Sequence, residues 1–166
     1  MLIRPEKDVD LPAIRSIHIA AFENHFYSHQ TEHLIVDALR DAGALSVSLV
    51  AEIDGDVVGH IAFSPAWIGG RDCNWYVLGP VGVLPELQGR GVGRGLIERG
   101  VEALRDRGAK GCVLVGNPVF YRRFGFRNIP ELILEGVPAE NFMCLPMAEE
   151  IPRGIVTHHS VFGVHA

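Results

Sequence analysis

The chain has 166 residues, the length of one domain, and its 48% hydrophobic and 21% charged residues exclude wholesale disorder. No uncharged apolar run nears the roughly 18 residues of a membrane span, and the opening MLIRPEKDVD turns charged at once, without a secretory h-region. Net charge is −5, which disfavours a nucleic-acid partner. Cys73, Cys112 and Cys144 are odd in number and far apart, with no C-x-x-C, which argues against a disulfide framework or zinc knuckle. The cytoplasm is the expected location.

In chain order, residues 2–4 suit a short strand. Asp8 or Asp10 then offers a helix N-cap, and Pro12 suits a first turn. Ile14, Ile17 and Ala21 form one apolar helix face ending near Phe22. The polar, His-rich residues 24–31 read as a loop, and Leu34, Ile35, Ala38 and Leu39 as a second helical stripe stopped by Gly43. Asp54-Gly55-Asp56 marks a hairpin. Val47, Leu49, Ala51 and Ile53 share a face with Val57, Ile61 and Phe63, while Ser48, Glu52, His60 and Ser64 take the other. Matching those faces favours an odd-length loop, because one residue of slip reverses every side chain.

Residues 75–83 are nearly all apolar, as in a central strand. Leu96, Ile97, Val101 and Leu104 give a long helix stopped by Gly108, followed by a buried strand at residues 111–115 and a short helix at 119–124. The tail holds β candidates at 132–134, 142–145 and 155–162, with an edge through which a second copy can pair as a homodimer. No repeat or linker interrupts this order, so one α/β domain over residues 1–166 is expected.

The charge is uneven. Between Gln88 and Arg127 nine basic residues face three acidic ones, a local net charge of +6 that leaves −11 elsewhere. Such a segment is either a site for a small polyanion or a solvated helix face. The acidic remainder would draw a cationic substrate, an expectation that a reversed salt dependence of kcat/KM overturns.

The same segment opens with Gly89, Gly91, Gly93 and Gly95 at the start of the long helix. Each glycine costs about 1 kcal/mol relative to alanine inside a helix. Bare N–H groups at the positive end of a helix dipole cradle an anion, and Arg90 and Arg94 add charged donors. Close helix–sheet packing is the competing reason. No Gly-Lys pair supports a P-loop, and Gly95 falls one place early for a Rossmann fingerprint.

Gln88-Gly-Arg-Gly91-Val-Gly93, after a Val-x-Val-x-Pro strand end, resembles the acetyl-CoA signature of the GCN5-related N-acetyltransferases (GNAT), Q/R-x-x-G-x-G/A. Gly116-Asn117-Pro118-Val-Phe-Tyr121 follows one helix and one strand later, as in that family. Chain length and tail are similar to its small YhbS-like branch. The resemblance implies a mixed, splayed central sheet flanked by helices, with acetyl-CoA as cosubstrate between two parting parallel strands. It places the pantetheine arm on the main chain of Val81 and Val83, where a backbone N–H would also polarise the thioester carbonyl. It places the pyrophosphate on Gln88, Gly89, Arg90, Gly91, Val92, Gly93 and Arg94, with Arg122 or Arg123 for an outer phosphate.

Asn117 either bonds the pantetheine arm or makes the strand-to-helix turn. Tyr121 matches the family's general acid for the departing thiolate; its alternative is a half-buried ring whose hydroxyl caps a carbonyl. Gly82 and Pro80 fit a kinked strand or an ordinary bulge.

The implied reaction is direct attack of a primary amine, on a small molecule or a peptide or protein, upon acetyl-CoA. The motifs assign no general base; Glu23, Glu32 and His18 are polar groups in the first two helices, the region that lines the acceptor side in relatives, with a solvated or capping role as the alternative. Trp67 and Trp75 line the acceptor pocket or the core. A non-catalytic acyl-CoA-binding domain is the second reading. A third is a zinc hydrolase, from the H-x-x-E-H spelled by His29, Glu32 and His33, although the third ligand such a site needs is not evident.

Overall fold

The computed structural model describes residues 1–25, 28 and 30–163. β1 (Leu2–Pro5) leads through a 3-10 turn (Asp8–Asp10) into α1 (Leu11–Phe22). α2 (Glu32–Asp41) precedes β2 (Val47–Ile53), β3 (Asp56–Ile68) and β4 (Arg71–Val83). α3 (Val92–Asp106), β5 (Gly111–Val115) and α4 (Pro118–Tyr121) come next, then β6 (Leu132–Ile133), β7 (Phe142–Pro146) and β8 (Gly154–His158).

The sheet runs β1-β2-β3-β4-β5-β7, antiparallel throughout except for the parallel β4–β5 pair. β8 continues the β2 edge of the long β3 at Ala66–Ile68 and pairs with β6. Among the described residues no helix is long and apolar enough to cross a membrane.

α3 covers one face, burying Leu96, Ile97 and Leu104 against Leu49, Ile61 and Phe63. α1 and α2 cover the other, where Ile14 and Val36 meet Val50. α2 turns one position from the predicted stripe: Ile35, Val36 and Leu39 are buried while Leu34 is 40% exposed. Asp10 does not cap α1 with its side chain. Its buried carboxylate instead accepts the Lys7 N–H at 2.7 Å and pairs with Arg4 at 2.7 Å, tying β1 to the helix start.

The β2–β3 hairpin corrects the odd-loop expectation. Its turn has two residues, Asp54 and Gly55, both at positive φ, the geometry of a tight hairpin turn. The needed extra residue is Val58, a bulge between Val57 opposite Glu52 and Gly59 opposite Ala51. Val58 therefore joins the α3-side core, and Val57 moves to the α1–α2 side.

In the tail, residues 160–163 form a 3-10 turn rather than the expected strand. α3 rides close on the sheet at Gly100, where an added Cβ would lie 2.4 Å from the Phe63 ring. Gly100→Ala is therefore expected to lower stability by about 1–3 kcal/mol through overpacking, read as a lower urea midpoint at constant m-value.

Candidate active site

β4 and β5 pair only from Trp75 opposite Gly111 to Val77 opposite Val113 and then part. The parting begins at a bulge in β4, where Gly79 and Pro80 stand opposite Ala62 alone. Beyond it Ile61 faces Val81 and Gly59 faces Val83, and the Leu84 N–H donates to the Val58 carbonyl at 3.0 Å. That alternation turns the Val81 and Val83 main-chain groups away from β3, along the open edge of the cleft. The Val83 carbonyl is already taken: Gln88 Nε2 donates to it at 3.1 Å. Gln88 thus ties the turn to the strand, a contact that its motif position did not foretell.

The turn that follows separates the reasons for its glycines. Gly89 (φ +78°) and Gly91 (φ +85°) are left-handed, with no atom within 4 Å of an added Cβ. Gly91 is the N-cap of α3 and its side-chain-free position supplies no cap, so among the described residues no N-cap side chain takes up the first N–H groups of the helix. Gly95 has the packing reason instead: its Cβ would lie 2.9 Å from Met1 and 3.0 Å from Ile3. Val92 is buried and can offer only its main chain. Gly93 lies on the first turn beside Val83.

Arg90 is exposed, without an ion pair among the described residues. Arg94 is engaged with Glu98 at 2.7 Å, and Arg99 approaches Glu102 at 3.8 Å, so part of the basic segment is a solvated helix face. Arg123 stacks on Phe120 at 5.9 Å, and Arg122 is exposed.

Asn117 caps α4, accepting the Val119 N–H at 2.9 Å, which leaves its amide NH2 as donor. Four residues on, the half-buried Tyr121 lies among Phe120, Phe124 and Phe126. Its ring fits because residue 116 is glycine; a Cβ there would come within 2.5 Å. Its hydroxyl has no hydrogen-bond partner among the described residues, so it caps no carbonyl. Burial, with a smaller push from Cys112, raises its pKa to about 12, so it stays protonated at neutral pH.

The other face of β4 belongs to α1. Gly82 turns toward it, and a Cβ on Gly82 would lie 2.8 Å from His18 Nδ1, so its small size serves this close approach rather than the bulge. His18 is 1% exposed; its Nε2 lies 2.8 Å from His60 Nδ1. His60 Nε2 meets Ser48 Oγ at 2.8 Å, and Ser48 Oγ donates to Glu6, which pairs with Arg40 at 2.8 Å. Burial lowers the His60 pKa to about 3, with a further push from Arg40. Burial likewise holds His18 well below its ordinary value, with His60 and His33 adding to it. Both rings are therefore neutral at pH 7. The sequence placed Ser48 and His60 on one face but carried no sign that α1 would bury His60.

Glu23 is exposed at the end of α1, and the Glu32 carboxylate accepts the Ser28 hydroxyl at 2.7 Å. His29 lies outside the described residues, so the H-x-x-E-H reading cannot be placed. Trp75 is core, 1% exposed, where β4 and β5 are still paired, and Trp67 lies near the far end of β3, opposite Asp72. Trp75 thus takes the core alternative.

A parallel strand pair that parts beside a glycine-led helix is the arrangement that the GNAT resemblance implies. The Acetyltransferase (GNAT) family profile matches residues 11–126. The Escherichia coli (strain K12) protein described as the uncharacterized N-acetyltransferase YhbS is 37% identical over 127 residues, 76% of this chain and 73% of that one. A GNAT family acetyltransferase from Brucella melitensis, solved in complex with acetyl-CoA, superposes with a TM-score of 0.87 at 49% identity, over 97% of each chain. E. coli YhbS in complex with CoA gives a TM-score of 0.88 at 32% identity, over 98% of this chain and 91% of that one. The chain belongs to the GNAT acetyltransferase family.

Proposed function

We propose that this acyltransferase moves the acetyl group of acetyl-CoA to a primary amine by direct attack. The parting of β4 from β5 carries the reading, because it frees the Val81 main chain beside the uncapped start of α3. The residues fit the cofactor: its diphosphate needs N–H donors free of side-chain obstruction, and Gly89 and Gly91 leave that space open. Gly89, Arg90, Gly91, Val92, Gly93 and Arg94 would hold the diphosphate. The Val81 main chain, the Val83 N–H and the Asn117 amide would hold the pantetheine arm. Gln88 acts through Val83. When bound, acetyl-CoA supplies an activated acyl thioester.

Two groups of the chain then act on the reaction. A main-chain N–H on the β4 edge polarises the carbonyl, and Tyr121 Oη holds the proton that the departing sulfur needs. The acceptor is a small-molecule amine or a peptide or protein amine. Free Cys73, Cys112 and Cys144 support a cytoplasmic location. Exposed Ile133 and Ile155, cross-strand partners on the β6–β8 pair, support a homodimer, which sedimentation velocity reads as a two-fold mass.

Calorimetry with acetyl-CoA and desulfo-CoA, paired with amide NMR, tests the cofactor site. Both ligands are expected to bind and to shift the amides of residues 89–94. No heat together with silent amides would falsify the reading.

A further inference from the structure

Beyond Val77, β4 pairs with β3 alone among the described residues, because β5 has left it. That stretch is also the softest part of the strand: Gly79 and Gly82 lie in it, with no side chains to pack. Yet its main-chain groups need one fixed direction, since a donor polarises a carbonyl only when it is aimed in advance. What stiffens the stretch comes from α1. An added Cβ on Gly82 would lie 2.8 Å from His18 Nδ1, 3.1 Å from its Cε1 and 3.5 Å from the Ala21 Cβ. The imidazole thus fills the space over Gly82 that a side chain would take.

The ring itself is pinned. It stacks on Phe22 with the planes 9° apart, and its Nε2 lies 2.8 Å from Nδ1 of His60, the residue opposite Gly82 on β3. Ser48 Oγ donates to Glu6 and so accepts from His60 Nε2–H, which makes His60 Nδ1 the acceptor of His18 Nε2–H. His18 Nδ1, buried and unpartnered, is then a bare lone pair facing a Cα–H of Gly82, a contact that only glycine offers this closely.

We propose that His18 is a positioning residue for acetyl transfer: braced on His60, its ring holds Gly82 in place and so aims the main chain of Val81 and Val83 into the cleft. The proposal rests on the acetyl-transfer reading above and adds a residue that touches neither substrate nor cofactor. Phenylalanine or leucine would fill the same core position without leaving a buried nitrogen unpaired. The imidazole adds a bond that fixes the rotation of the ring against the strand.

Three measurements on the full chain test it. Backbone 15N relaxation of the free protein reads the edge directly. In the wild type the N–H vectors of Val81, Gly82 and Val83 are expected to be as ordered as those of Trp75, Tyr76 and Val77. In His18→Ala the first set is expected to lose order while the second keeps it. Isotope-edited infrared spectra of bound acetyl-CoA, labelled with 13C at the carbonyl, read the aim. The wild type is expected to lower the carbonyl stretch relative to free acetyl-CoA, and His18→Ala to lose that lowering. Thiol release, with hydroxylamine as acceptor and the uncatalysed blank subtracted, is expected to show kcat at least about tenfold lower in His18→Ala. The affinity for desulfo-CoA, which the reading places on residues 89–94, stays within about threefold.

Gly82→Ala keeps both histidines but forces the ring off the strand. It is expected to give the same three changes, and it carries the test should His18→Ala fail to fold. In the double variant the new methyl group takes the space that the ring left, so kcat is expected to be no lower than in either single variant.

Edge amides unchanged in order, a carbonyl lowering kept in both single variants, or losses that multiply in the double variant overturn the positioning role. So does a wild type that binds acetyl-CoA without lowering its carbonyl stretch. A wild type that binds no acetyl-CoA overturns the function instead, while relaxation still decides whether His18 holds the edge.

Discussion

Tyr121→Phe is expected to cut acetyl transfer by about 10²-fold while leaving the affinity for acetyl-CoA where it was. The expectation follows from what surrounds the ring. Phe120, Phe124 and Phe126 pack against its body, and phenylalanine fills the same space. The lost hydroxyl bonds to no group among the described residues, so no buried partner is orphaned and stability should stay within about 0.5 kcal/mol. What disappears is a proton held firmly at neutral pH, the one that the proposed mechanism gives to the departing sulfur. Thiol release and calorimetry on one preparation separate the two effects. Equal rates in the two proteins would remove Tyr121 from the chemistry. Gly116→Ala, which forces the ring aside, should lower the rate without removing the acid.

A fall in stability below about pH 6.5 is the second large effect expected. His18 and His60 resist protonation in the folded chain because burial excludes the charged form, whereas in the unfolded chain they titrate near 6.5. Below that value the unfolded state binds more protons, so stability is full above it and declines with falling pH. For His60 the decline continues to about 3. Each ring contributes a slope on the order of 1 kcal/mol per pH unit, so the pair tilts the curve by about twice that.

Asp10 adds a later loss. Its hydrogen-bonded pairing with Arg4 holds its carboxyl below the ordinary 3.8, so its contribution is present above that value and goes as pH falls through the lowered one. Urea midpoints from pH 7.5 to 4 check the histidine window, and His60→Gln should remove close to half of the slope. A flat curve between pH 6.5 and 5 would mean that the rings titrate freely when folded.

These effects differ in how visible they were beforehand. Tyr121 follows Gly116-Asn117-Pro118 at a spacing that the local chain enforces: the strand ends, Asn117 caps, and one helical turn delivers the ring. The glycine turn is legible in the same way, since left-handed residues before a helix are a local need. The order of strands and helices follows from periodicity, because an apolar stripe commits each segment to burial on one side.

His60 was legible only as a polar residue on a strand face. Its burial depends on α1, whose His18 lies 42 positions away, and no periodicity links the two. Val58 is similar: the pattern demanded one extra residue, but whether a loop or a bulge supplied it was settled by the preference of a two-residue turn for twisted strands. Gln88 matched its motif, and only the folded turn shows that its amide closes the Val83 carbonyl.

By itself, then, the sequence determined the class of the protein and named the residues proposed as its anion-binding turn and its acid, all of them set by neighbours within a few positions. The tertiary structure decided the partners: which histidine meets which, which strand edge stays open, and which glycine makes room for a ring. Those depend on segments brought together by burial, where a hydrogen bond's worth is set by the water it excludes.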